Sequence, residues 1–256
     1  MSNLMKSETT ASAKPIKPPS KLLLATEGGR ALFELGLFFL ARPRLKNELK
    51  SDGHPVMVLP GYLASSLSTI PLRNFLNEGG YAAYDWGLGR NMGKQEYLET
   101  LSATLKELVD KHQQKVTLIG WSLGGVFSRE LARANPELVR QVITLGSPFG
   151  GITEVNNVTR LYEWLSGREI KELDEELVKE IVKPPPVPTT AIYSKYDGVV
   201  QWQHCMEATE GPETQNIEVL GSHFGLGHNP LVLEIVSDRL AQPANKWKKY
   251  DAGKKD

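Results

Sequence analysis

The sequence predicts an α/β protein: a mostly parallel central sheet with helices on both faces and a small helical cap. Three observations carry that prediction. From His54 onward, short apolar β-like runs alternate with helical segments, the pattern of strands joined by helical crossovers. Each apolar run ends beside residues able to do chemistry, as expected where ligands gather at the carboxyl ends of parallel strands. The 256 residues suffice for one sizeable core but not comfortably for two.

Taken in order, strands are expected at 55–59, 116–119, 141–145, 190–194 and 217–220. The first runs into Pro60-Gly61-Tyr62, the second into Gly120-Trp121-Ser122-Leu123-Gly124, and the third into Gly146-Ser147-Pro148-Phe149-Gly150-Gly151. The fourth leads to Asp197 and the fifth to His223. A helix is expected over 126–134 and another from near Asn229-Pro230. Between 151 and 188 the strand pattern lapses into a polar loop, an apolar knot at Leu161, Tyr162, Trp164 and Leu165, and a charged helix over 170–182. Pro184-Pro185-Pro186 cannot continue that helix. The segment at about 152–187 therefore reads as an inserted cap within a domain spanning 51–244, and either borders the substrate pocket as a lid or covers one face of the sheet.

Outside that domain, residues 1–21 are rich in Ser, Thr, Lys and Pro, lack the apolar core of a secretory signal, and read as a disordered tail. Residues 245–256, with several lysines, read as a solvated one. Residues 22–50 form an apolar helical segment. Within 22–41, Glu27, Arg30 and Glu34 interrupt the apolar stretches, leaving too short a run to cross a bilayer, which takes about 20 mostly uncharged residues. Two readings stay open: packing against the domain, or peripheral contact with a membrane through Phe33, Leu37 and Phe38.

Thirty basic residues balance thirty acidic ones and the pI is about 7.0, so no global field draws the chain to nucleic acid. A single cysteine, Cys205, excludes an internal disulfide and a cysteine-rich zinc site. It fits a cytoplasmic location, which is compatible with membrane association through residues 22–41. Gly87, Gly89 and Gly93 precede Lys94, but a phosphate loop needs four residues between its glycines and Ser or Thr after the lysine, where Gln95 stands. Arg90, in the same stretch, is either structural or aimed at a substrate headgroup.

The chemistry centres on Ser122. A serine between a strand and a helix, flanked by Gly120 and Gly124, matches a nucleophile elbow, in which glycines are needed because a Cβ would strike neighbouring backbone. Serine is a poor nucleophile at neutral pH and requires a base, which in turn requires an acid to orient it. Asp197 and His223 follow Ser122 in the order Ser, Asp, His, each just past an expected strand. His228 shares the loop and is the rival base, whereas His54 and His112 precede strands and His204 follows Asp197 too closely. Oxyanion donors are expected at the backbone N–H groups of Leu123 and Tyr62. Leu63, Trp121 and Phe149 are candidates for the substrate pocket.

These residues resemble the serine-triad α/β-hydrolase superfamily, and more narrowly the bacterial lipase-like and esterase-like hydrolases. The resemblance runs from about His54 to Leu240 and rests on the stretch 53–61, on Gly87-Leu88-Gly89-Arg90-Asn91, and on the stretch 221–227 before Asn229-Pro230. It implies the α/β-hydrolase fold and hydrolysis of carboxylic esters through an acyl-serine, without metal or organic cofactor. One departure is Pro60-Gly61 where many lipases carry His-Gly. The expected substrate is a small-molecule or lipid ester with an apolar acyl group. The alternatives are an acyltransferase using the same triad and a non-catalytic protein of this fold that binds a lipid or partner.

Overall fold

The computed structural model describes residues 17–150 and 183–253. The polar loop, apolar knot and charged helix expected at 152–182 lie outside the described residues, as does most of the expected N-terminal tail.

Six strands form one sheet: β1 (Pro55–Leu59), β2 (Ala82–Asp85), β3 (Val116–Trp121), β4 (Val139–Leu145), β5 (Thr189–Tyr193) and β6 (Thr214–Glu218), in the order β2-β1-β3-β4-β5-β6. Every pairing is parallel. The described helices are α1 (Lys21–Glu48), α2 (Ile70–Glu78), α3 (Tyr97–His112), α4 (Leu123–Ala134) and α5 (Pro230–Ala241).

The period-2 alternation of strand side chains sorts the core into two layers. Val56, Val58, Ile119, Ile143 and Leu145 face the layer of α1, α2 and α5, joining Phe38, Leu45, Phe75, Val232 and Val236. Met57, Leu59, Val116, Leu118 and Val142 face the other way, joining Leu101, Leu105, Phe127 and Leu131 of α3 and α4. The central strands are buried on both sides and so read as continuous apolar runs, as parallel strands do. β2 was not expected from sequence: its Ala-Ala-Tyr-Asp is a half-exposed edge strand without an apolar run. β6 likewise begins at Thr214, ahead of the expected 217, because polar edge residues pair as well as apolar ones.

α1 packs against the domain rather than standing apart from it. Ser20 caps it by accepting from Leu23 N–H at 3.1 Å, and Phe38 and Leu45 are buried in the core. Phe38 therefore does not face outward as the membrane reading required, whereas Leu22, Leu32, Phe33, Phe39 and Leu40 are exposed. Among the described residues, no helix is long and apolar enough to cross a membrane. The lysine-rich end also departs from expectation. Arg239 Nη1 donates to Lys248 O at 2.6 Å, its guanidinium lies 5.5 Å from the Trp247 ring and 5.7 Å from that of Tyr250, and Tyr250 N–H donates to Gln215 Oε1 at 2.6 Å. The lysines alone point to a solvated tail; the aromatic residues between them dock it.

Candidate active site

The strand order reverses direction between β1 and β3, so the loops leaving those two strands diverge to opposite sides and leave a crevice at their carboxyl ends. Both loops carry expected site residues. Ser122 follows β3 with φ 52° and ψ −124°, a left-handed backbone that a non-glycine residue adopts at a cost of roughly 1–3 kcal/mol. The surroundings enforce it. A Cβ on Gly120 would lie 2.3 Å from Gly125 Cα, and one on Gly124 would lie 2.3 Å from Leu59 O, so strand and helix approach as closely as only glycines permit. Ser122 N–H donates to Leu145 O at 2.8 Å, anchoring the turn to β4.

Asp197 and His223 are in direct contact. His223 Nδ1–H donates to Asp197 Oδ2 at 2.6 Å, with both side chains buried. The other carboxylate oxygen, Oδ1, accepts from Val199 N–H at 2.8 Å and Val200 N–H at 2.7 Å, which fixes the carboxylate's orientation. Burial works against charge on His223, but the charge and hydrogen bond of Asp197, helped by the charge of Glu27, outweigh it and raise the imidazole pKa above its ordinary 6.5. With Nδ1 committed to the carboxylate, Nε2 is the nitrogen left to accept a proton. The two loops are further joined by Ser194 Oγ, which donates to Gly221 O at 2.7 Å.

Trp121, the residue before Ser122, donates its indole N–H to His223 O at 3.0 Å, and the two rings lie 6.4 Å apart. The elbow and the His223 loop thus share a wall. His228, the rival base, instead has its Nε2 at 2.9 Å from Ala31 O of α1. His204 is buried on a short 3-10 turn. His54 contacts Asp52 and Thr117 at the opposite edge of the sheet. His112, at the end of α3 ahead of β3, has Nε2 at 2.8 Å from the Tyr84 hydroxyl.

Tyr62 and Leu63 occupy the turn closed by Ala64 N–H donating to Gly61 O at 3.1 Å, with Leu63 at φ 59°. Gly61 lets this turn abut the elbow, since a Cβ on it would lie 3.2 Å from Ser122 Cβ. Leu123 is the first residue of α4, where an N–H has no partner within its own helix. Sequence reasoning passed over the residue that secures the turn. Asn91 is fully buried: its Nδ2 donates to Pro60 O at 2.8 Å, its N–H to Ala64 O at 2.8 Å, and its carbonyl accepts from Leu63 N–H at 2.8 Å. Arg90 Nη1 donates to Leu63 O at 3.1 Å, the structural alternative for that side chain. The glycine-flanked Arg-Asn pair was the available signal.

Leu63, Trp121 and Leu123 are partly exposed around this crevice. Phe149 is not: it is fully buried with Val126 and Ala191, and the Arg129 guanidinium sits 3.7 Å over its ring. Arg129 is itself paired with buried Glu207, so Phe149 serves as a platform for an interior ion pair rather than a pocket wall.

Comparison with known proteins agrees with this architecture. The family model described as palmitoyl protein thioesterase matches residues 55–203. Over 100 residues the chain is 31% identical to phosphatidylcholine-sterol acyltransferase of Gallus gallus, a match covering 36% of this chain and 24% of that protein, so the chain aligns with about a quarter of this relative. Among solved structures, Aspergillus fumigatus lipase B superposes with a TM-score of 0.58 at 17% identity, covering 78% of this chain and 55% of the lipase. A lipase-esterase related protein from Clostridium acetobutylicum superposes with a TM-score of 0.56 at 17% identity, covering 74% of this chain and 95% of that one. The structural likenesses establish the α/β-hydrolase fold.

Proposed function

The chain belongs to the palmitoyl protein thioesterase family, and from that premise we propose that it is a serine hydrolase cleaving esters and thioesters of apolar acyl groups through an acyl-serine. The observation that carries this reading is the buried 2.6 Å contact of His223 with Asp197 on loops adjoining the strained elbow of Ser122. In the proposed cycle His223 Nε2 takes the Ser122 hydroxyl proton as Oγ attacks the acyl carbonyl carbon. The backbone N–H groups of Leu123 and Tyr62 receive the oxyanion, a type of donor worth roughly 3–4 kcal/mol each in comparable enzymes. The C–S or C–O bond then breaks, and the leaving thiol or alcohol takes the proton from His223. Water repeats the sequence on the acyl-serine and releases the fatty acid. Leu63 and Trp121 would border the acyl group.

The test is labelling of wild type and Ser122→Ala with a fluorophosphonate, beside hydrolysis of acyl thioesters and p-nitrophenyl esters of increasing chain length. Labelling and turnover lost in the variant support the reading; a wild type that neither labels nor turns over any of them overturns it. The identity with an acyltransferase favours one second reading, in which an alcohol replaces water as acceptor. Product analysis with and without added alcohol separates the two.

We further propose a cytoplasmic protein in peripheral contact with membranes, the contact supported by the exposed Leu22, Leu32, Phe33, Phe39 and Leu40 of α1, in a pose different from the one Phe38 would have required. Cosedimentation with lipid vesicles, lost in Phe33→Ser plus Phe39→Ser, is the check.

A further inference from the structure

Two of the charged residues that break up the apolar helix α1 turn inward. Glu27 and Glu34 are seven residues apart, two turns of helix, and therefore lie on one face. Glu27 is 1% exposed and Glu34 8%. Burying a carboxylate is unfavourable unless its oxygens are satisfied, and both are satisfied by the loops that carry Asp197 and His223. Glu27 Oε1 accepts from Gly198 N–H at 2.8 Å, one residue past Asp197, while Oε2 accepts from Phe224 N–H at 3.0 Å, one residue past His223. Glu34 Oε1 accepts from Ser222 N–H at 2.7 Å, one residue before His223, and Oε2 accepts from Asn229 Nδ2 at 3.3 Å. The loops are shaped for this helix. A Cβ on Gly198 would lie 2.4 Å from the Leu23 backbone, and one on Gly225 would lie 1.8 Å from Glu34 Oε2.

We propose that Glu27 and Glu34 are positioning residues: α1 holds the Asp197 and His223 loops at a fixed separation by gripping the backbone on either side of the imidazole and beside the carboxylate. The proposal rests on the assignment of Asp197 and His223 as acid and base. Glu27 bridges the two loops with one carboxylate, so its two oxygens measure the distance between them. Glu34 fixes the His223 loop from its other side. Glu27 also acts through its field. The charged groups around His223 are Asp197 on its own loop's neighbour, Glu27 and Glu34 from α1, and Arg30, which pairs with Glu27 at 2.7 Å and donates to Tyr196 O at 2.8 Å. The negative charge of Glu27 favours the imidazolium that forms during each proton transfer.

The decisive variant is Glu27→Gln. It keeps the shape and one acceptor oxygen, but its amide NH2 meets an N–H where the second oxygen stood. We expect kcat to fall about tenfold to a hundredfold, the range for a lost charge-assisted hydrogen bond, with KM little changed. The acid limb of the kcat/KM profile should move to lower pH, because the imidazolium loses a favourable charge. Glu34→Gln, which retains an oxygen for Ser222, should lose only severalfold. Phe38→Leu, a core change on the same helix, should lower Tm and leave kcat and the pH profile at wild type. The rate of fluorophosphonate labelling reports the activated serine in each variant whatever the substrate. Wild-type labelling that slows in Glu27→Gln together with the shifted acid limb supports the proposal. Wild-type labelling with Glu27→Gln unchanged in rate and profile overturns it alone; no labelling in wild type overturns the assignment of the site as well. Should Glu27→Gln not fold, an unchanged rate in folded Glu34→Ala overturns the proposal and a loss beyond that of Glu34→Gln supports it.

Discussion

Trp121 and His223 are locked together: the indole N–H of the residue preceding the elbow donates to the backbone carbonyl of the imidazole's own residue at 3.0 Å. The bond couples the end of β3 to the loop that follows β6, two strands at different places in the sheet. Trp121→Phe keeps most of the ring packing and deletes only the donor. We expect about 1 kcal/mol of lost stability and a several-fold lower kcat, read by thermal denaturation and steady-state kinetics.

The two histidines of the same loop should behave oppositely. His223→Ala should leave a folded protein nearly devoid of turnover, and Asp197→Asn should slow it on the order of 10⁴-fold by leaving the imidazole in the wrong tautomer. His228→Ala loses only its contact with Ala31 O and should keep kcat within about twofold. Since His223 as the proposed base acts only when unprotonated, and Asp197 raises its pKa above the ordinary 6.5, kcat/KM should fall as pH drops through a value above 6.5, and the acid limb of Asp197→Asn should lie lower. A wild-type acid limb below 6.5 would contradict the raised pKa.

Asn91 is expected to matter as much as any residue that touches substrate. Its side-chain donor holds Pro60 O and its backbone holds Leu63 and Ala64, so the turn bearing the Tyr62 N–H hangs on it. Asn91→Ala should lower kcat at least tenfold with a smaller change in KM, since the oxyanion forms only after binding. Steady-state kinetics on one ester series decides it.

At the far edge of the sheet, Asp52 makes a pH-dependent contribution to stability. Burial raises its pKa, but the hydrogen bonds of His54 and Arg140 prevail and bring it down from 3.8 to about 2. Its stabilisation is therefore complete above 3.8 and is lost as pH falls toward 2. Asp52 is half exposed, so solvent reduces the effect. Asp52→Asn should flatten the decline of Tm between about pH 4 and 2 relative to wild type, measured calorimetrically.

What the sequence discloses and what it hides have physical reasons. The elbow is legible because steric crowding demands glycine at fixed offsets from Ser122, and such demands leave a local trace. Asp197 and His223 stand out because a parallel sheet gathers its strand ends on one edge. The function of α1 leaves no such trace: Glu27 and Glu34 look like interruptions of an apolar helix until the N–H groups that receive them are known, and those lie far along the chain. The place of Phe149 is hidden for a related reason, since an aromatic residue at a strand end lines a pocket or carries a cation depending on what α4 brings to it, here Arg129. β2 escaped because an edge strand needs no apolar run.

The bonds from Glu27 to Gly198 and to Phe224 span 171 and 197 residues. Contacts of that sequence separation pay their loop-closure entropy late, after the local and neighbouring-strand contacts have formed. During synthesis α1 exists long before either of its partner loops, with two carboxylates that water must solvate in the interim. Assembly of the sheet and acquisition of a competent centre thus become separate events in time. In refolding from denaturant, far-ultraviolet circular dichroism should recover ahead of serine labelling, and the lag should persist in any variant that leaves the helix-to-loop bonds intact.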